Sequence, residues 1–265
     1  MNTIILFLLA WAIVFIAVFG MISPAFAMDH YETTRMVFKN NPNTCIMEPM
    51  PELQERFYNE LLLTTYESVR MWTIEMDHFT NGNWYLPMQI IAYEEHHNKL
   101  ISDYRECNIF IEFDKHNPGT RVQSTALGWT AYDHSKSVHP YAFIMIYTEA
   151  LKETGNISLC IGCDDELEQS LEFSSEMQEL DERAIKRIIR HEFGHALGLG
   201  HYIEDKDKSN NVDSLMYPIM DPFGYNDIYI EEIDKIILRE IYGADGFGGL
   251  HGFSPKYFKL HVAGQ

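Results

Sequence analysis

His191-Glu192-Phe193-Gly194-His195-Ala196-Leu197-Gly198-Leu199-Gly200-His201 gathers three imidazoles, one carboxylate and three glycines within eleven residues. On a helix, at 100° per residue, His191 and His195 lie only about 40° apart on one edge, so both rings can meet one metal ion. Were the helix to continue, His201 would point about 120° away from His195 and lie about 9 Å further along the axis, out of reach. The chain must therefore turn back after His195, and Gly198 is the residue able to adopt the positive φ of such a turn. Three neutral imidazoles leave the fourth position of a tetrahedral zinc ion open to water, the arrangement of a catalytic centre. Glu192, beside the first imidazole, is then placed as a general base. Zinc lowers the pKa of bound water to about 7 and polarises a scissile carbonyl, so a carboxylate can take that proton near neutral pH. In a chain with twelve histidines, the His, Glu, His, Gly and His of this spacing would fall together by chance on the order of once in 10⁴ shuffles, at ordinary Glu and Gly frequencies.

The spacing resembles the signature of the metzincins, a clan of zinc endopeptidases. A second match lies at Ser214-Leu215-Met216-Tyr217-Pro218, in the place of the metzincin Met-turn. The resemblance implies that Met216 forms an apolar floor beneath the imidazoles and is not a ligand. Within the clan, the Leu-Met-Tyr-Pro wording resembles the matrixins, as do the strand at Cys107–Phe113 and a last helix ending Ile241-Tyr242-Gly243. Astacins and serralysins carry a ligating tyrosine two residues after the methionine. Pro218 stands there in this chain, so Tyr217 is not carried over. Tyr202 replaces the serine that usually follows the third histidine, and no cysteine-switch motif precedes the domain, so latency through a cysteine–zinc bond is not expected. The His-Gly-Asp element of the matrixin structural-metal loop is not found either. His116, His134 and His139, like His96, His97 and the acidic stretches at 164–167 and 204–213, read as solvated loops, with no spacing that supports calcium or a second zinc. By strand-order analogy Ala126–Tyr132 is the edge strand above the cleft, where an extended peptide adds as a further strand and Gly128 and Thr130 lie near substrate.

Outside the signature the periodicities give a mixed α/β (α+β) fold, a twisted mixed sheet with an active-site helix and a C-terminal helix. Phe57, Leu61, Leu62, Val69 and Trp72 recur at helical steps over Pro51–Met76. Ile109, Ile111 and Phe113 alternate along one strand, and Tyr141–Tyr147 is a second apolar run. Asp181 is placed to cap the signature helix, whose Ile185, Ile188, Ile189 and Ala196 share one face. Ile233, Ile236, Ile237 and Ile241 repeat that pattern near the end. Residues 28–243 read as one catalytic domain, and the Gly-rich tail at 244–265 as loosely packed or frayed.

From Ile4 to Ile22 no residue is charged, and Ala25-Phe26-Ala27 follows. Residues 1–27 therefore read as a signal peptide with an A-x-A cleavage site, or as a retained membrane anchor, since about 20 apolar residues span a bilayer. Either way the protein is expected to be secreted or at the cell surface. Two disulfides are then expected, Cys45 with Cys107 and Cys160 with Cys163. A zinc half-site or a redox C-x-x-C at Cys160–Cys163 is the weaker alternative, lacking a second C-x-x-C and a thioredoxin-like surrounding. Lys and Arg number 20 against 39 Asp and Glu, and a net charge of −19 repels phosphate backbones. Nucleic acid is thus excluded as a partner, the membrane enters only through an uncleaved amino terminus, and a monomer acting on peptide or protein is expected. The rivals are an exported metal-binding interaction module without turnover, against which the intact Glu192 argues, and a membrane-tethered peptidase.

Overall fold

Short apolar strands, covered on both faces, build the sheet. In the computed structural model, which describes residues 31–34, 37–97, 99–116, 127–133, 140–154, 174–202, 214–216 and 229–248, strands β2 (Thr44–Met47), β3 (Met88–Ile91), β4 (Ile109–Asp114), β5 (Gly128–Asp133) and β6 (Tyr141–Tyr147) form one five-stranded sheet in the order β3-β2-β4-β6-β5. The first four in that order run parallel, and β5 closes one edge antiparallel to β6. Ile109, Ile111 and Phe113 of β4 and Ala142, Ile144 and Ile146 of β6 are all buried on one face and join the main core, as the alternation in the sequence requires. The register pairs Gly128 with Ile146, Thr130 with Ile144 and Tyr132 with Ala142. These three β5 residues therefore look toward the same core, while Trp129 packs against Phe143 on the opposite face, ring centroids 5.4 Å apart and planes tilted by 39°.

Helices cover the inner face. The expected helix from Pro51 is interrupted: α1 (Pro51–Arg56) passes through a π-helical turn at Phe57–Leu61 into α2 (Leu62–Thr80). Asn81, in the left-handed region at φ 54°, ends it. α2 packs on the helix that carries the signature, α4 (Glu182–Ala196), and Trp72 ties the two by donating its indole N–H to the Arg190 carbonyl at 3.2 Å. Asp181 caps α4 through Ala184 N at 2.8 Å. Ile185, Ile188, Ile189, Phe193 and Ala196 are buried beneath the sheet.

The outer face of the sheet holds a smaller cluster of Cys45, Met47, Ile91, Tyr104, Cys107 and Phe110. It is stapled by the disulfide between Cys45 and Cys107, the expected pairing. Cys160 and Cys163 lie outside the described residues. So do the apolar amino terminus, His134, His139, Tyr217 and Pro218, and both acidic stretches. Among the described residues no helix is long and apolar enough to cross a membrane. His96 is not in a loop: it ends the short helix α3 (Tyr93–His96), its Nε2 2.7 Å from the Glu48 carbonyl. His116 faces Glu149 at 3.8 Å.

Two smaller pairings frame the signature. β7 (Glu149–Thr154) and β8 (Ser174–Glu179) form an antiparallel hairpin ahead of α4. β1 (Tyr31–Thr33) pairs antiparallel with β9 (Leu199–Tyr202), the strand that ends the signature. Thr34 extends that pairing to the end of α4, with its N–H on the Gly198 carbonyl at 3.0 Å and its hydroxyl on the His195 carbonyl at 3.2 Å. The last helix, α5 (Glu232–Tyr242), sends the Tyr242 hydroxyl to the Leu197 carbonyl at 2.9 Å. The carbonyls of Leu197 and Gly198, and that of His195, which also accepts from Gly198 N at 3.0 Å, thus find donors at the helix C-terminus. The expectation of a frayed tail fails for its first residues. Phe247 is buried between Trp84 and Tyr242, and Gly246 forms a bridge with Asn83, because an aromatic side chain just past the helix finds an aromatic socket already formed.

Candidate active site

His191, Glu192 and His195 ride on the last two turns of α4, where helical spacing sets both imidazoles along one edge. The helix stops at Ala196. Gly198, at φ 110°, reverses the chain, and β9 returns His201 to the other two histidines. One ligand nitrogen from each ring lies within 4.8 Å of the other two, the only such cluster of three or more His, Cys, Asp or Glu among the described residues.

The rings are oriented from behind. A carbonyl only accepts, so Nδ1 of His191 donates to the Leu215 carbonyl at 2.7 Å, and Nδ1 of His195 donates to the Leu199 carbonyl at 2.8 Å. Both rings are thereby fixed in the tautomer that leaves a lone pair on Nε2, the outer support that metal-binding histidines characteristically have. Nε2 of His195 and Nε2 of His201 stand 3.2 Å apart. Two nitrogen ligands at about 2.05 Å from a tetrahedral zinc ion would be about 3.3 Å apart. Burial and the neighbouring His195 push the His191 pKa down to about 3, and burial pushes that of His195 down to about 4. Burial thus favours the neutral imidazole at His191 and at His195. By donor chemistry and spacing the three residues fit a zinc ion.

Below them, Met216 is fully buried. A methyl at Gly194, between the two helical histidines, would sit 2.5 Å from the Met216 sulfur and 3.1 Å from Trp72 Cζ2. Gly194→Ala should therefore cost about 1–3 kcal/mol through overpacking. Chemical denaturation of the metal-free protein would measure it; an unchanged midpoint would mean that Met216 yields freely. Ser214 organises the turn, accepting from Met216 N at 3.1 Å and donating to the buried Asp234 of α5 at 3.1 Å.

Glu192 is 7% exposed. Burial raises its carboxyl to about 7, against the opposing effect of a hydrogen bond from Thr130. A carboxyl bound more tightly to its proton when folded stabilises the fold below its unfolded value of 4.5, and that contribution is lost as pH rises through about 7. With metal removed, the wild-type chain should weaken relative to the Glu192→Gln chain by up to about 3 kcal/mol between about pH 4 and about pH 8. Urea unfolding at both ends of that range would show it; a pH-independent difference would contradict it.

The sheet supplies what spacing in the sequence did not reveal. Thr130 Oγ1 lies 2.6 Å from Glu192 Oε2 and 3.1 Å from the Glu192 carbonyl. Gly128, on the same face of β5, is so close to α4 that a Cβ there would meet Ile188 Cγ2 at 2.9 Å and Glu192 Cγ at 3.0 Å. The supporting carbonyls of Leu199 and Leu215 also carried no signal in the sequence, since any residue supplies one.

A helix bearing two metal-poised histidines and a buried glutamate, a glycine reversal to a third histidine, a methionine beneath them and a mixed sheet with one antiparallel edge strand define a metzincin-type fold and centre. The chain matches the Matrixin family over residues 100–243, more than half of its 265 residues, and it belongs to that family. Matrixins are zinc metallopeptidases, so the chain is of a hydrolase family acting on peptide or protein substrates. No curated protein matches the sequence.

Proposed function

We propose that this protein is an exported zinc endopeptidase in which His191, His195 and His201 hold the metal and Glu192 is the general base. The observation that carries the proposal is the convergence of the three ring nitrogens within 4.8 Å beside the buried Glu192 carboxyl. A zinc ion there would supply a Lewis acid for the scissile carbonyl and lower the pKa of water to about 7. Glu192 takes the proton of the attacking water and passes it to the leaving amine. Among the described residues β5 is the last strand in the sheet order, and its outer edge would offer backbone groups to an extended peptide, held as a sixth strand. Met216 keeps water and polar groups away from the floor, and the Leu199 and Leu215 carbonyls hold the rings in place. Export is supported by the apolar run and A-x-A sequence at the amino terminus and by the Cys45–Cys107 disulfide, a bond of oxidising compartments.

Purified protein incubated with a mixed peptide library should give cuts that a chelator abolishes and added zinc restores, read by mass spectrometry. A folded, zinc-loaded protein that cuts nothing would overturn the reading in favour of a metal-binding module without turnover. Amino-terminal sequencing of the exported protein tests the leader: a start at Met28 means cleavage after Ala27, and a start at Met1 means a membrane tether.

A further inference from the structure

We infer that Thr130 is a positioning residue for Glu192: its hydroxyl holds carboxylate oxygen Oε2 and so leaves Oε1 as the oxygen that exchanges the proton with water and leaving amine. The inference rests on the reading of Glu192 as the base.

Three features of the structure support it. Glu192 leaves α4 with its stem against Gly128, where only the missing side chain gives Cγ room, so the edge strand limits where the carboxyl can go. Two residues on, along the same face of β5, Thr130 meets the carboxylate at 2.6 Å. That is the short distance typical of a hydroxyl donating to an ionised oxygen. The hydroxyl has one proton and two acceptors in reach, Oε2 and the Glu192 carbonyl at 3.1 Å, and the charged, nearer one takes it.

The geometry survives the catalytic cycle. When Oε1 takes a proton from water, Oε2 becomes the carbonyl oxygen of a neutral acid and still accepts from Thr130. When Oε1 releases that proton to the amine nitrogen, the carboxylate is restored with the same hydrogen bond. No proton passes through Thr130, whose hydroxyl touches neither substrate nor metal in this scheme. A freely rotating carboxylate would instead divide its time between two oxygens and several rotamers, and catalysis is sensitive to misplacement of this kind.

The test compares Thr130→Val, which keeps the shape and removes the hydroxyl, with Thr130→Ser, which keeps the hydroxyl. Thr130→Val should lower kcat about 10- to 100-fold with KM changed less than about 3-fold, and Thr130→Ser should recover most of the loss. In a Glu192→Gln background Thr130→Val should have no further effect on turnover, because the two act as one unit. Infrared spectroscopy supplies a readout apart from activity: the Glu192 carboxylate band, isolated by difference against Glu192→Gln, should shift in Thr130→Val and stay in place in Thr130→Ser. Should Thr130→Val not fold, Thr130→Ala serves in its place. Wild-type kcat in Thr130→Val, an equal loss in Thr130→Ser, or an unmoved band would overturn this inference alone. Turnover surviving Glu192→Gln would remove the base assignment and this inference with it.

Discussion

Glu192→Gln is expected to keep its metal and lose about 10³- to 10⁴-fold in kcat/KM, the upper part of what general acid–base catalysis supplies, since the same group serves both the water and the leaving amine. The substitution is nearly isosteric, so the packing of the side chain stem against Gly128 is kept. The amide oxygen can still accept from the Thr130 hydroxyl. What is lost is the ability to take a proton at neutral pH. The three histidines are untouched, with their Leu199 and Leu215 supports, so zinc content measured by mass spectrometry should equal that of the wild type. Retention of turnover within about tenfold would refute Glu192 as the base. Loss of zinc would show instead that Glu192 helps hold the metal.

His201→Ala is expected to weaken zinc binding by well over about 100-fold, because loss of a mere outer-shell partner already costs about 10–100-fold. Its Nε2 is the one facing His195 at 3.2 Å, and without it the two helical histidines are only two of the three expected protein ligands. The fold should persist, since an alanine in β9 leaves the backbone pairing with β1 intact. Competition against a chromophoric chelator measures the affinity, and far-UV circular dichroism checks the fold. An affinity within a few fold of wild type would mean that another residue completes the site.

The signature was legible because its geometry is local. A 40° offset between His191 and His195 follows from helical pitch, and a helix that cannot deliver His201 must be broken at a residue that tolerates positive φ, which Gly198 does. Asp181 was readable as a cap for a similar reason, its partner being three residues away. Strand β4 could be drawn from its alternation and β6 from its apolar run. What escaped depended on register between distant segments. Nothing near Thr130 points to Glu192, 62 residues on, until the antiparallel pairing of β5 with β6 turns Thr130 toward α4. The π-helical turn at Phe57–Leu61 was hidden because the apolar positions either side of it keep their helical steps. His96 and Phe247 were misjudged together: each sits in a stretch whose composition says loop, and each is held by a partner far off in sequence, Glu48 in one case and Trp84 in the other.

The pairing of β1 with β9 separates two boundaries that are easily taken for one. The stretch recognised by descent begins at residue 100 and contains all three histidines, Glu192, Thr130 and Met216. Yet the strand carrying His201 leans on Tyr31–Thr33, and the carbonyls of His195 and Gly198 end on Thr34. A gene fragment cut at the inherited boundary would encode every reacting group and leave the third histidine on a strand without its neighbour. For expression, for fusion tags and for any amino-terminal trimming, a fragment that keeps β1 against β9 starts no later than Tyr31.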